Sequence, residues 1–335
     1  MEKSRKSVRS FEVAELANIS RSTVSRALAG DPRISEDTRT RVLAAAAELG
    51  YQPNLIARGL KNQSTGIVGV VVTDLDNPYH AHALQLLIDK LGASRLAPLV
   101  FVGDTPEGAE SAIERLMSYQ VDAVIALAAP FSEEIVAACR AGKKPLVLMN
   151  KYDGEHDVGF VCGDSCSGGA MAADHLAARG ARSFGYFAGE DTTSISRDRE
   201  TGFVNRLSEI GFALSARASS RYSHAHAMKA AIQLLRSDVQ AVFCSNDTLA
   251  FALIDAARDI PPAERPLVVG YDNSALAAWP SYALTSVDQN LDEMTSRTVE
   301  TARGMVAASG GQVRRCIIKP YLVERNSTRS DKSRT

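Results

Sequence analysis

Beyond residue 66 the chain alternates between two hydrophobic periods. Ile67-Val68-Gly69-Val70-Val71-Val72 is a continuous run of mostly β-branched residues, the pattern of a strand covered on both faces of a parallel sheet. In the segment that follows, Leu84, Leu87, Ile88 and Leu91 recur at three- and four-residue spacing, one face of an amphipathic helix. The alternation repeats. It predicts strands at 67–72, 99–102, 123–127, 146–149, 184–187, 241–244 and 267–269. Helices are predicted over 78–92, 107–120, 133–141, 168–179, 197–210, 225–235, 247–258 and 292–308, with a closing strand over 315–323. Such a βα rhythm implies doubly wound parallel sheets with right-handed crossovers. Its two rounds imply two α/β lobes, over 66–160 with 290–313 and over 161–289 with 314–328. Ligands of such sheets sit beyond the carboxyl ends of the strands, here in a cleft between lobes.

The first 65 residues follow another pattern. Val13, Leu16 and Ala17 share one helical face, Val24, Ala27 and Leu28 another, and Asn18-Ile19-Ser20 is a turn between them. Two short helices with such faces pack together, and the Ser20 hydroxyl suits an N-cap. The second helix presents Arg21, Ser22, Thr23, Ser25 and Arg26 on its outer side, the residue types that reach base edges and phosphates in the major groove. Ser35 caps a third helix that carries Glu36 and Asp37 in its first turn, and Gly50 ends it. These residues, 9–53, form an all-α helix-turn-helix DNA-binding head. Residues 54–65 form a hinge and linker. Asn54 caps a helix of roughly seven residues, well below the ~12–15 that are marginal alone in water. Leu55, Ile56 and Leu60 then need a burial site, which a partner hinge and a wedge between base steps provide.

Charge sharpens this division. Residues 1–61 carry a net +4 and the remainder −5, so a mildly basic head sits on an acidic body. No apolar run approaches the ~20 residues of a membrane span, and the basic N-terminus has no apolar signal core. The expectation is a cytoplasmic protein without a membrane partner. The 5 cysteines are scattered and are expected to be reduced packing or surface thiols.

Candidate chemistry in the body gathers at strand ends. Asp74 to Tyr79, Asn150-Lys151, Asn246-Asp247 and Asp272 each follow a predicted strand. Carboxylates and amides there suit paired hydrogen bonds to vicinal hydroxyls. His80/His82 and His224/His226 are two residues apart, which on a helix spoils a shared metal site. Residues 163–169 are glycine-rich but lack a P-loop ending, and read as a helix start. No catalytic constellation is present, so neither an enzyme nor a cofactor is expected.

In combination, several motifs resemble the LacI/GalR family of bacterial transcriptional regulators. They are Val13-Ala14-Glu15-Leu16-Ala17 through Ser25-Arg26-Ala27-Leu28, and Glu48-Leu49-Gly50-Tyr51-Gln52-Pro53-Asn54. Further on come Asp74-Leu75-Asp76-Asn77-Pro78-Tyr79, Val269-Gly270-Tyr271-Asp272, and Leu322-Val323-Glu324-Arg325-Asn326-Ser327-Thr328. The resemblance spans residues 9–328. It implies a periplasmic-binding-protein-like core and a homodimer gripping a near-palindromic double-stranded operator, most often as a repressor. Arg21 and Ser22 match base-reading positions. Thr23, Ser25 and Arg33 match backbone-contacting ones, and Arg26 a reader near the groove. Ser20 and Asn54, the capping residues, join the DNA-contacting set, and Ala57 and Leu60 match hinge residues in the minor groove. In the cleft, Arg199 and Asp272 match the effector-binding arginine and carboxylate, and Tyr222 a stacking aromatic. Asn246, Asn150, Asp74 and Tyr79 match lining positions, with Gln289 in the late crossover. Arg197 competes with Arg199 for the arginine role. Two departures stand out. Ala29 replaces the usual Asn, and the opening Arg9-Ser10-Phe11-Glu12-Val13-Ala14 shifts the capping role to Ser10. The implied effector is a sugar or sugar derivative, the alternative a nucleobase acting as co-repressor. A transport solute binder and an enzyme are the other classes a two-lobed body serves.

Overall fold

The computed structural model describes residues 8–28, 30–51, 64–129, 132–152, 158–189, 194–308 and 314–329. Ala29, Asn54, Ala57 and Leu60, and with them the expected hinge, lie outside the described residues. The chain divides into two compact units between Gly66 and Ile67.

In the first unit, helices α1 (Ser10–Leu16), α2 (Arg21–Leu28) and α3 (Glu36–Leu49) enclose a core of Val13, Ala14, Ala17, Val24, Ala27, Val42, Ala45 and Ala46. These small side chains let three short helices approach closely. The Ser20 hydroxyl accepts from the Thr23 N–H at 3.2 Å, and Ser35 accepts from the Thr38 N–H at 3.4 Å. Gly50 ends α3 in the left-handed region at φ +63°, a conformation that a side chain would strain. The start of α1 departs from the sequence reading. Arg9, not Ser10, is the N-cap, and its N–H donates to Glu12 Oε2 at 3.1 Å. A carboxylate three residues on reaches back to the cap N–H and sets the boundary one residue earlier, so Ser10 is the first helical residue.

The second unit holds two six-stranded sheets. The first contains β1 (Ile67–Val72), β2 (Ala97–Val102), β3 (Ala123–Leu127), β4 (Leu146–Met149), β5 (Gly159–Gly163) and β11 (Arg315–Ile318), in the order β11-β5-β4-β3-β1-β2. The second contains β6 (Phe184–Ala188), β7 (Leu214–Ser219), β8 (Ala241–Cys244), β9 (Leu267–Tyr271), β10 (Thr285–Asp288) and β12 (Tyr321–Val323), in the order β12-β10-β9-β8-β6-β7. Among the described residues every strand pairing is parallel except that of β10 with β12. Helices α4 (Pro78–Ala93), α5 (Pro106–Ser118), α6 (Glu133–Ala141) and α11 (Leu291–Ala307) supply the first lobe. Helices α7 (Ser165–Ala178), α8 (Ser194–Glu209), α9 (His224–Leu235) and α10 (Asp247–Ala256) supply the second. Each sheet is covered on both faces, which gives each lobe two hydrophobic clusters.

The chain crosses between lobes after β5, after β10 and between β11 and β12. The closing strand predicted over 315–323 is therefore two strands, one in each sheet, broken where Pro320 removes a ladder N–H. β5, β7 and β10 have no counterpart in the sequence reading. The helix predicted from Gly168 begins at Ser165, because Asp164 caps it by accepting from the Ser167 N–H at 2.9 Å.

Candidate functional site

In the first unit, α2 turns Val24 and Ala27 into the core and leaves Arg21, Ser22, Ser25 and Arg26 exposed. Thr23 is half-buried, and Ser20 Oγ is 2.8 Å from both Ser22 Oγ and Thr23 Oγ1. Four of the expected DNA-contacting residues thus lie exposed on α2, with Thr23 half-buried among them and Ser20 just before the first turn. Arg33 is engaged differently. Its guanidinium donates to both Asp31 oxygens, at 2.9 and 2.7 Å. That pairing holds the Asp31 carboxyl well below the usual carboxylate range. A phosphate contact by Arg33 has to displace a fork-matched carboxylate.

In the second unit a cleft of about 650 Å³ runs between the lobes. Backbone geometry aims its lining. Asp74, Ala128, Asn150 and Asp272 follow the ends of β1, β3, β4 and β9, and all adopt positive φ, at 45°, 51°, 57° and 106°. Left-handed backbone is costly for residues with a Cβ and concentrates at ligand sites. Here it turns each chain out of its strand at the sheet's carboxyl edge.

The floor on the second lobe is buried and tightly connected. Arg199, 5% exposed, donates to the Ser245 carbonyl at 2.6 Å. Its guanidinium lies 3.6 Å from Asp272 Oδ1 and 3.7 Å from the Tyr271 ring centroid. The face-on aromatic adds a cation–π attraction of about 2 kcal/mol in a desolvated setting. Glycine makes this geometry accessible. A Cβ on Gly169 would overlap the Arg199 carbonyl, and one on Gly202 would overlap the Cys166 carbonyl. Only two glycines allow α7 and α8 to approach backbone to backbone and bring Arg199 beneath the cleft. Arg197, the competing arginine, is exposed and not part of the lining.

Asp272 is held from behind. Gln289 donates to its Oδ1 at 2.7 Å. Asn273, the next residue, donates from its side chain to Asp288 at 2.7 Å and accepts from Arg325 at 2.7 Å. Asp247 accepts from the Ser274 N–H at 2.7 Å and from Ser286 Oγ at 2.6 Å. Burial raises the Asp272 carboxyl to about 6, against the opposing pull of Arg199 and Gln289. Burial, then the Asp272 charge, raises Asp247 to about 7, against its serine donors. Gln289 itself is fully buried and not part of the cleft lining. It positions the carboxylate and does not face the cleft.

The remaining expected residues all line the cleft. Asn246 caps α10, accepting from the Leu249 N–H at 3.0 Å, which leaves its amide N–H groups for other partners. Tyr222 donates to Ser196 Oγ at 3.2 Å. Tyr79 is buried and its hydroxyl is directed to Met294 Sδ, so only its ring serves the lining. Asn150 Oδ1 and Arg199 Nε are buried without a hydrogen-bond partner, and orphaned buried polar atoms beside a cleft mark where a polar ligand satisfies them.

The lining includes two groups the sequence reading left out of its set. Asp104, just past β2, accepts from the Asp74 N–H at 2.8 Å and from Thr73 Oγ1 at 3.3 Å. Applying the strand-end rule to the second strand finds it. His80 Nδ1 lies 3.0 Å from the Thr73 carbonyl and 3.2 Å from that of Asp74. Two carbonyl partners require Nδ1 to carry the proton, which leaves Nε2 an acceptor, and burial lowers the pKa of the ring. No cluster of metal-ligating side chains occurs among the described residues, and no described helix is long and apolar enough to cross a membrane.

Residues 11–54 match the model of the bacterial regulatory proteins of the lacI family, and residues 173–328 that of the periplasmic binding protein-like domain. An HTH-type transcriptional regulator of the aml 5' region of Streptomyces limosus is 30% identical over 332 residues, covering 95% of this chain and 93% of its own. Among solved structures, the complex of the transcriptional regulator CelR with cellobiose is 25% identical, with a TM-score of 0.72, over 96% of this chain and 99% of CelR. The lac repressor dimer bound to operator and the anti-inducer ONPF has the same fold, with a TM-score of 0.84 at 22% identity over 96% of this chain and 99% of its own. The chain belongs to the LacI family, as a DNA-binding transcriptional regulator with a helix-turn-helix head and a periplasmic-binding-protein-like core.

Proposed function

We propose that this protein is a cytoplasmic, ligand-responsive repressor. It binds a near-palindromic operator as a homodimer and changes its grip when a sugar or sugar derivative enters the cleft. The observation that carries this reading is the cleft floor. A preorganised arginine and carboxylate, with an amide and an aromatic nearby, form a polar pocket of the size that takes small molecules. Hydroxyl pairs satisfy such groups without bringing a charge. The cellobiose complex of CelR, a relative at 25% identity covering nearly the whole chain, supports the sugar reading.

In the proposed mechanism, Arg21 and Ser22 read base edges with Arg26 a reader near the groove, and Thr23, Ser25 and Arg33 fix the head on the backbone. Two hinges fold against each other on DNA, where Asn54 caps the helix and Ala57 and Leu60 enter the minor groove. Ligand and DNA each favour one arrangement of the two lobes, so their affinities are reciprocally coupled. Selection of operators from a random duplex pool tests this. The expected product is an inverted repeat whose binding weakens steeply with salt. Arg21→Ala is expected to cost about 1–3 kcal/mol and relax preference at one position per half-site. Leu60→Ala is expected to lower affinity sharply at every site. An unsymmetrical selected site, or unchanged binding by Leu60→Ala, contradicts the dimeric hinge mechanism.

A further inference from the structure

A second cavity of about 640 Å³ adjoins the cleft. The two share Asp74, Asp76 and Tyr222 as lining residues, so Tyr222 is a partition between chambers and not an end wall. The second chamber has the two features that hold a sugar ring. One is an aromatic surface. Tyr222 and Tyr282, both half-buried, line the chamber, and the buried Phe251 backs Tyr282 with ring centroids 4.4 Å apart. The other is a fixed hydrogen-bonding edge. His224 Nε2 lies 2.8 Å from Asp255 Oδ2, which also accepts from Tyr282 Oη at 3.3 Å, while Arg258 pairs with Oδ1 at 2.7 Å. A carboxylate on Nε2 holds a proton there and fixes the ring, with Nδ1 on its other edge. His224 is nearly half exposed, at 46%, so the edge is accessible.

We infer that the effector is an uncharged oligosaccharide of at least two rings, with one ring over Arg199 and Asp272 and the next in the chamber bounded by Tyr222, His224, Phe251 and Tyr282. This rests on the sugar-responsive reading of the cleft. Size points the same way, since each chamber alone is of the volume that takes a drug-sized ligand, and a single hexose leaves the second one unused. Charge at the junction favours an uncharged ligand, although Lys151 and Arg199 also line the first chamber and Arg221 the second. Asp74 and Asp76 stand at the junction of the chambers, exposed, and Asp104 stands on the same lip of the first. An anion passing between them meets repulsion in water-accessible surroundings, whereas hydroxyls are donors to all three.

The test uses the full chain in thermal-shift and calorimetric titrations. The probes are D-glucose, D-galactose, D-xylose, cellobiose, maltose, lactose, xylobiose, cellotriose and glucose 6-phosphate. The expected result is that at least one disaccharide binds roughly tenfold or more tighter than its own monosaccharides, with glucose 6-phosphate no better than glucose. In His224→Ala and in Tyr282→Ala that advantage shrinks to under about threefold, while monosaccharide affinity changes less than about twofold. His224 is exposed, so its variant remains informative if the tyrosine variant does not fold. A monosaccharide that binds as tightly as any disaccharide overturns the inference. So does an undiminished disaccharide advantage in His224→Ala, or no binding by any probe. Failure of the underlying reading looks different: a disaccharide that binds with the expected variant pattern yet leaves operator affinity unchanged removes ligand gating and keeps the two-chamber site.

Discussion

The two walls of the cleft are built by opposite means. On the second lobe, Arg199, Asn246 and Asp272 are nine-tenths or more buried and held by a continuous network through Gln289, Asn273, Asp247 and Arg325. On the first, Asp74, Asp76 and Asp104 are exposed, and the hydrogen bonds of Asp74 and Asp104 run to Thr73, to each other and to the start of α4. One wall is an anchor whose geometry exists before the ligand arrives; the other is a solvated lip. A two-lobed switch needs this asymmetry. In the proposed switch, a ligand fixed to one wall stabilises closure only through what it gains from the other, which assigns specificity to the anchor and the conformational response to the lip.

The largest break in the comparison comes from Arg199→Ala. It leaves Asp272 buried without its cation, which is expected to destabilise the core by about 3 kcal/mol and to lower effector affinity about 100-fold. Separate melting of head and core, followed by circular dichroism and calorimetry, checks that the loss is confined to the core. Gly169→Ala acts on the same wall without touching a polar group. Overpacking of α7 against α8 is expected to cost about 1–3 kcal/mol, with effector affinity falling because Arg199 is displaced. An unshifted melting temperature contradicts the close-packing account.

On the lip, Asp104→Asn is expected to cost less than about 1 kcal/mol of stability and about fivefold in effector affinity, readable by calorimetry. A larger effect there than at Arg199 erases the proposed asymmetry. The smallest effect is in pH. Asp272 and Asp247 titrate at about 6 and about 7 in the folded core, above the ~3.9 of an unfolded Asp. The folded state therefore binds the extra protons. The stability they contribute is full below about pH 4 and is lost as pH rises through 6 and 7. Effector affinity runs the other way, because ionised Asp272 is the better acceptor. Melting temperature should fall from pH 5 to 8 less steeply in Asp247→Asn than in the wild type, and effector affinity should rise through pH 6.

Much of this was legible in the sequence, for identifiable reasons. The buried strands β1, β3, β4 and β8 are continuous apolar runs, and their boundaries follow directly from period. The capping residues Ser20, Ser35 and Gly50 carry their geometry in their own chemistry. β7 was illegible because Leu214–Ser219 is an edge strand with alternating half-buried and exposed positions, and β10 because Thr-Ser-Val-Asp looks like a loop. Gly159–Gly163 is bounded by glycines that depress any strand reading. In the site, strand-end position located Asp74, Asn150 and Asp272. Gln289 was assigned to the ligand and stands behind Asp272, since a linear pattern does not distinguish a residue that touches a cleft from one that braces it. In the sequence Gly169 reads only as part of a helix start, because its close contact with the helix that carries Arg199 is a property of two distant segments.

The account's central claim is that the buried wall of the cleft controls the DNA-reading head. Fluorescence anisotropy of a selected operator, with and without a sugar identified by thermal shift, tests it in wild type and Arg199→Ala. The account predicts that sugar at about ten times its wild-type Kd changes wild-type operator affinity by about 5- to 150-fold, and that Arg199→Ala keeps the ligand-free affinity while this ratio falls towards one. A variant that keeps the wild-type ratio at that sugar concentration contradicts it.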